Sequence, residues 1–172
     1  MSINDLKVNQ VSSSIPDWSR EHKTLLSWNP SRSLLASIRS YQAYGKSTNP
    51  FKFIIKKVAV LRYRFWSVVT GADIPINCNI GGGLLLPHPN GIVIHPDVLI
   101  GPNCLIFQQV TIGTVSGKVP PVISGHVDIG AGAKVLGDVV IGEHANIGAN
   151  AVVLINVPAG KTAVGVPAII LG

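Results

Sequence analysis

A chain of 172 residues, 47% hydrophobic and only 13% charged, has room for one well-buried domain with a helical extension and is not a disordered segment. Its formal charge of +6 suits an anionic partner such as an acidic lipid surface or a phosphorylated cofactor. With aromatics at 6% and no basic run longer than two residues, nucleic acid is not expected. Cys78 and Cys104 make neither a disulfide framework nor a zinc motif, and no apolar stretch reaches transmembrane length. The start "MSINDLKVNQ" lacks a signal-peptide core, so a cytoplasmic location is expected.

In chain order, residues 1–70 come first and read as a helical N-terminal segment. The stretches "SRSLLASIRSYQAYG" and "PFKFIIKKVAVLRYRFWSVVTG" carry helical spacing, the second through Phe51, Ile54, Ile55, Val58, Leu61 and Phe65. Lys52, Lys56, Lys57, Arg62 and Arg64 make the second helix basic. The expected arrangement is a helix capping the rest of the fold with its charges solvated; a weak membrane-surface contact is the alternative.

From residue 71 to 172 a different rule takes over. Large aliphatics fall at Ile74, Ile80 and Leu86, then at Ile94, Ile100, Ile106 and Ile112. They resume at Ile123, Ile129, Val135, Ile141, Ile147 and Val153, always six apart within a run. Small or apolar residues, Cys78, Val98, Cys104, Val110 and Ala133 among them, follow four places later. Neither a helical period nor simple alternation explains this, but a parallel β-helix of hexapeptide repeats does. Each beat is a short strand and a turn. Three beats close a coil, and each inward aliphatic stacks on its equivalent one coil away. Both cysteines fall on interior beats and read as small buried apolar residues.

Two beats fail, and the chemistry is expected there. Between Leu86 and Ile94 the spacing grows to eight, and His88 lies in the two-residue insertion, at the corner between two faces. Asp73, just before Ile74, falls at the same corner one coil earlier, so it is expected beside His88. A carboxylate next to an imidazole fixes its tautomer and stabilises its protonated form, the minimal general-base arrangement. Ala131 and Ala149 occupy that corner on later coils and leave a shallow groove where a thin ligand could meet backbone amides. The second break, a loop over residues 113–122, could cover such a ligand and carries Lys118, a partner for phosphate.

The runs "HPNGIVI", "QQVTIGT", "DIGAGAKVLGDVVIGEHANIGANAVV" and "AVGVPAIILG" resemble the hexapeptide-repeat acyltransferases, and most closely their serine acetyltransferase-like branch. The resemblance implies a left-handed parallel β-helix, a homotrimer, and acetyl-CoA bound as acyl donor in a groove between subunits. It also implies His88 as catalytic base, Asp73 as its partner, and backbone contacts from Gly113, Ala131 and Ala149 to the pantetheine arm. The chain departs from that branch at Pro87, Pro96 and Pro120, where serine enzymes carry Asp, Glu and His. Since those polar groups would hold a zwitterion, the expected acceptor is a sugar hydroxyl, nucleotide- or lipid-linked, in polysaccharide biosynthesis. Serine is the alternative. Asp17 and Trp18 are assigned to the sugar as acceptor and stacking face.

His126 and His144, eighteen residues apart, are expected to stack on another corner as a solvated ladder. A zinc enzyme of the carbonic anhydrase kind and a non-catalytic scaffold are further alternatives, and no metal is expected to be required. His95 takes a structural turn position.

Overall fold

The computed structural model describes residues 11–24, 27–44, 50–115 and 119–171. A short 3₁₀ turn at Trp18–Glu21 leads into helix α1 (Pro30–Tyr44) and helix α2 (Pro50–Thr70). Among the described residues thirteen short strands follow: β1 (Asn79–Ile80), β2 (Val93–Ile94), β3 (Leu99–Ile100), β4 (Leu105–Ile106), β5 (Thr111–Gly113), β6 (Val122–Ile123), β7 (Asp128–Ile129), β8 (Lys134–Leu136), β9 (Val140–Ile141), β10 (Asn146–Ile147), β11 (Val152–Val153), β12 (Thr162–Val164) and β13 (Ile169–Leu171).

They form three sheets in the orders β1-β3-β6-β9, β13-β12-β10-β7-β4 and β11-β8-β5-β2, parallel throughout except for the β12–β13 pair. The fold is the left-handed parallel β-helix. Its register stacks the counted aliphatics on one another: Ile80 on Ile100 on Ile123 on Ile141, and Ile106 on Ile129 on Ile147. The third column runs Ile94, Ile112, Val135, Val153. Single bridges from Asp73 to Val93 and from Leu85 to Leu105 add Ile74 and Leu86 to the top of their columns.

These inward side chains are buried, as are Cys78 and Cys104. Burial pushes both thiols up to about 11, so they stay protonated. Full burial of each aliphatic contributes about 1.5–3 kcal/mol, which a two-residue strand could not gain alone.

The turns need left-handed backbone, and only some use glycine for it. One corner holds Gly71, Gly91, Gln109, Gly132 and Asn150 at φ of 58° to 75°. Another holds Asn103, His126 and His144 at 53° to 62°. Asn and His tolerate this region better than most side chains.

That second corner is covered by the chain's own N-terminal segment. Fully buried Asn103 accepts from the Asp17 amide (2.7 Å) and donates to the carbonyls of Ser12 (2.7 Å) and Ile15 (2.8 Å). Ser13 donates to Glu143 two coils further down (2.6 Å). Trp18 lies so close over Gly82 that a Cβ there would meet the indole at 2.6 Å.

Helix α1 closes the top of the stack with Leu34, Leu35 and Ile38. Arg39 pairs with Glu21 at 2.8 Å and donates to the carbonyls of Ile80 and Gly81; Gln42 donates to that of Cys78. Helix α2 differs from the sequence expectation. Its packed face runs through Ala59, Tyr63, Trp66 and Thr70, whereas Ile54, Val58, Leu61 and Phe65 face solvent. Small and amphipathic residues make the contact with the rest of the molecule, and the larger aliphatics are left outside.

Candidate active site

The corner between the Leu86 and Ile94 columns is not the one that residues 12–18 cover. On it Gly91, Gln109, Gly132 and Asn150 follow one another down the stack. Their turns are tied by bonds from Gln109 N to Asn90 O (3.0 Å), Gly132 N to Gln108 O (2.9 Å) and Asn150 N to Ala131 O (2.8 Å). Ala131 is half-buried and Ala149 exposed, and among the described residues no carbonyl accepts from either amide. Two backbone N–H groups on this corner are thus left without a backbone acceptor, each on a residue whose side chain is only a methyl. Gly113, at the edge of the loop, is similarly open: a Cβ there would meet only Leu136, at 4.0 Å. Lys118 lies outside the described residues.

His88 projects from the inserted turn at the top of this corner. Prolines at 87 and 89 fix two φ angles and hold His88 itself to extended backbone, so the imidazole is presented from a stiff hairpin of chain. The ring is exposed and faces a cavity of about 380 Å³, lined also by Trp28, Asn29, Pro30, Ser31 and Val69.

Asp73 lies at the head of the Ile94 column, one layer above Val93. Its backbone pairs with Val93, through bonds to Ile92 O (2.8 Å) and from Ile94 N (2.9 Å). Directly above Asn90 and Gly91 stands Gly71. The two added residues bulge His88 out of the layer. Among the described residues no hydrogen bond or ion pair joins it to Asp73.

Periodicity along the chain does not say that α1 reaches this site. Asn29 caps that helix, accepting from the Arg32 amide at 3.2 Å, and Pro30 takes its first position. The helix N-terminus, which carries partial positive charge, therefore opens beside His88. A second hollow of about 250 Å³ adjoins the first through Asn29, Ser31 and Pro87, and adds Arg32 to its wall. The signal was the "NP" before "SRSLLASIRS", a cap followed by a first-turn proline.

Other expectations fare differently. Asp17 and Trp18 sit on the opposite, covered corner. Asp17 caps the 3₁₀ turn, and its hydrogen bonds from Ser19 hold its carboxyl below the usual range. They are unavailable to a ligand near His88. His126 and His144 do stack, but as a half-buried pair joined Nδ1 to Nδ1 at 2.8 Å rather than as a solvated ladder. Burial lowers the His126 pKa, with Asp128 opposing and His144 and Arg20 assisting. No cluster of three or more His, Cys, Asp or Glu able to hold a metal occurs among the described residues. His95 accepts from the Asp97 amide at 3.3 Å in its turn. No helix among the described residues is long and apolar enough to cross a membrane.

Residues 120–154 match the bacterial transferase hexapeptide (six repeats) family. A serine acetyltransferase from Helicobacter pylori is 42% identical over 129 residues, 73% of this chain and 73% of that protein. Soybean serine acetyltransferase, solved in complex with serine, superposes with a TM-score of 0.70 at 34% identity, covering 84% of this chain and 58% of that one. A serine acetyltransferase solved in complex with CoA gives 0.69 at 34% identity, with the same coverage. The chain spans about half the length of other curated relatives it matches, 42% to 48% of three serine acetyltransferases.

These likenesses overturn the expected sugar acceptor and its place in polysaccharide biosynthesis, because relatives and structural neighbours alike are named for serine. The inference from Pro87, Pro96 and Pro120 failed for a physical reason. It looked for charge only on the coils, while the fold brings Arg32 and a helix N-terminus to the walls of the cavities that Pro87 lines.

Proposed function

The chain belongs to the serine acetyltransferase-like branch of the hexapeptide acyltransferases, and on that premise we propose that it transfers the acetyl group of acetyl-CoA to the hydroxyl of serine. The observation that carries this reading is the meeting at His88 of two features. One is a cavity walled by the α1 N-terminus; the other is a corner whose Ala131 and Ala149 amides lack acceptors.

In this reading residues 71–172 are the catalytic unit and residues 1–70 its helical extension. The pantetheine arm lies along the open corner, accepting from the amides of Ala131 and Ala149 and passing Gly113. Lys118 on the loop meets a phosphate. A second subunit supplies the other wall of the groove, which makes the active species a homotrimer.

Serine enters from the α1 side, its carboxylate facing Arg32 and the first-turn amides. His88, steadied by Asp73 once substrates close the site, takes the proton from the serine hydroxyl as its oxygen attacks the thioester carbonyl. Backbone donors of the groove stabilise the oxyanion. Collapse of the tetrahedral species breaks the C–S bond, and the imidazolium returns its proton to the leaving CoA sulfur. No acyl-enzyme is needed, and the buried, protonated Cys78 and Cys104 are poor nucleophiles for one.

The test is a thiol-release assay with purified protein, acetyl-CoA and L-serine. Turnover should saturate in serine. Arg32→Ala should raise the serine KM by roughly tenfold to a hundredfold, the worth of a charge-assisted hydrogen bond, and leave the acetyl-CoA KM unchanged. No serine-dependent release would reject the reading.

A further inference from the structure

The outward face of α2 is built like a surface-binding element. Ile54, Val58, Leu61, Phe65 and Val68 follow at alternating spacings of four and three, so they form one continuous stripe. They are 50% to 83% exposed. The helix turns its other side, through Ala59, Tyr63, Trp66 and Thr70, to the protein. Lys57 and Arg64 border the stripe on one side and Arg62 on the other, and all three are exposed. The helix contains no Asp or Glu.

The charges decide what can cover this face. A second copy of α2 would meet the stripe as a coiled coil does, but Lys57 and Arg64 would then face Arg62 of the other helix. Such flanking pairs need opposite signs. An anionic surface with an apolar interior satisfies both features together, and a helix lying in the plane of a bilayer is the known form of that match. The helix is not apolar enough to cross.

We propose that α2 docks the protein on membranes containing anionic lipid, with Ile54, Val58, Leu61, Phe65 and Val68 entering the headgroup boundary and Lys57, Arg62 and Arg64 meeting lipid phosphates. The inference is independent of the acceptor. Val69 and Thr70, at the end of the same helix, line the His88 cavity, so docking holds that cavity close to the membrane surface.

Flotation of the full chain with phosphatidylcholine vesicles, with and without phosphatidylglycerol, tests it. The protein should float with the mixed vesicles and stay behind with the neutral ones. Leu61→Ser with Phe65→Ser should abolish flotation without moving the unfolding midpoint, since both side chains are exposed. Lys57→Gln with Arg64→Gln should lower partitioning about twenty-five-fold, at about fivefold per charge. The proposal is overturned if the wild-type chain does not float, if it floats equally with neutral vesicles, or if Leu61→Ser/Phe65→Ser still floats. A fall in solution mass on making that double variant would identify another copy as the occupant, and would also overturn it.

Discussion

His88 is held by its neighbours in sequence more than by any contact across the fold. Flanked by prolines and free of hydrogen bonds to Asp73, it is positioned by backbone stiffness before a substrate arrives. His88→Ala should therefore cut turnover by roughly 10²–10⁴ and leave acetyl-CoA affinity, read by calorimetry, nearly unchanged. Wild-type turnover in that variant would end its assignment as base. His126 makes a different kind of prediction. Its folded-state pKa lies below the ordinary 6.5, so the unfolded chain binds the proton more readily. The stability it contributes is present above 6.5 and is lost as pH falls from there through the lowered value. His126→Asn keeps a residue that tolerates φ of 53° and removes the titration. A scan of Tm against pH should fall more steeply below 6.5 for the wild type than for the variant. Parallel curves would show that the His126–His144 pair has no such role.

At the level of elements, the N-terminal segment is fastened to the coils chiefly through Asn103. Asn103→Ala deletes three hydrogen bonds and places a Cβ-bearing residue without a polar tip at φ of 62°. A loss of about 2–4 kcal/mol is expected. Asn103→Gly, which relieves the backbone but not the missing bonds, should recover part of it. Faster amide exchange at Asp17 in both variants would locate the damage in the segment; unchanged exchange would mean that other contacts hold it. The strands, their columns and the open corner were legible from the six-residue beat because every coil repeats the same inward choice. The place of Asp73 at the head of the Ile94 column was legible, but whether it meets His88 was not, since counting cannot say how far an insertion bulges. The orientation of α2 was not legible. Both of its faces carry apolar residues, and only tertiary packing selects Ala59 and Trp66 over Leu61 and Phe65. The part α1 plays beside His88 was hidden too, because periodicity ranks residues along one element and says nothing about which two elements meet.

For the whole molecule, a groove with one wall predicts association. Light scattering should give three times the 18.1 kDa of one chain, and Ala131→Leu should raise the acetyl-CoA KM without changing that mass. A monomer at working concentration would leave the open corner without its second side. The ends of the stack carry a further consequence. A column of identical layers is a one-dimensional crystal, and nothing in the repeat itself tells it to stop growing. Here each face of the crystal is poisoned. At the top, Arg39 and Gln42 occupy the carbonyls of Cys78, Ile80 and Gly81 that an incoming layer would use. At the bottom, β13 runs against β12 and so presents the wrong polarity for another parallel layer. Growth by stacking is thereby terminated at both poles, leaving only the sides of the prism for assembly.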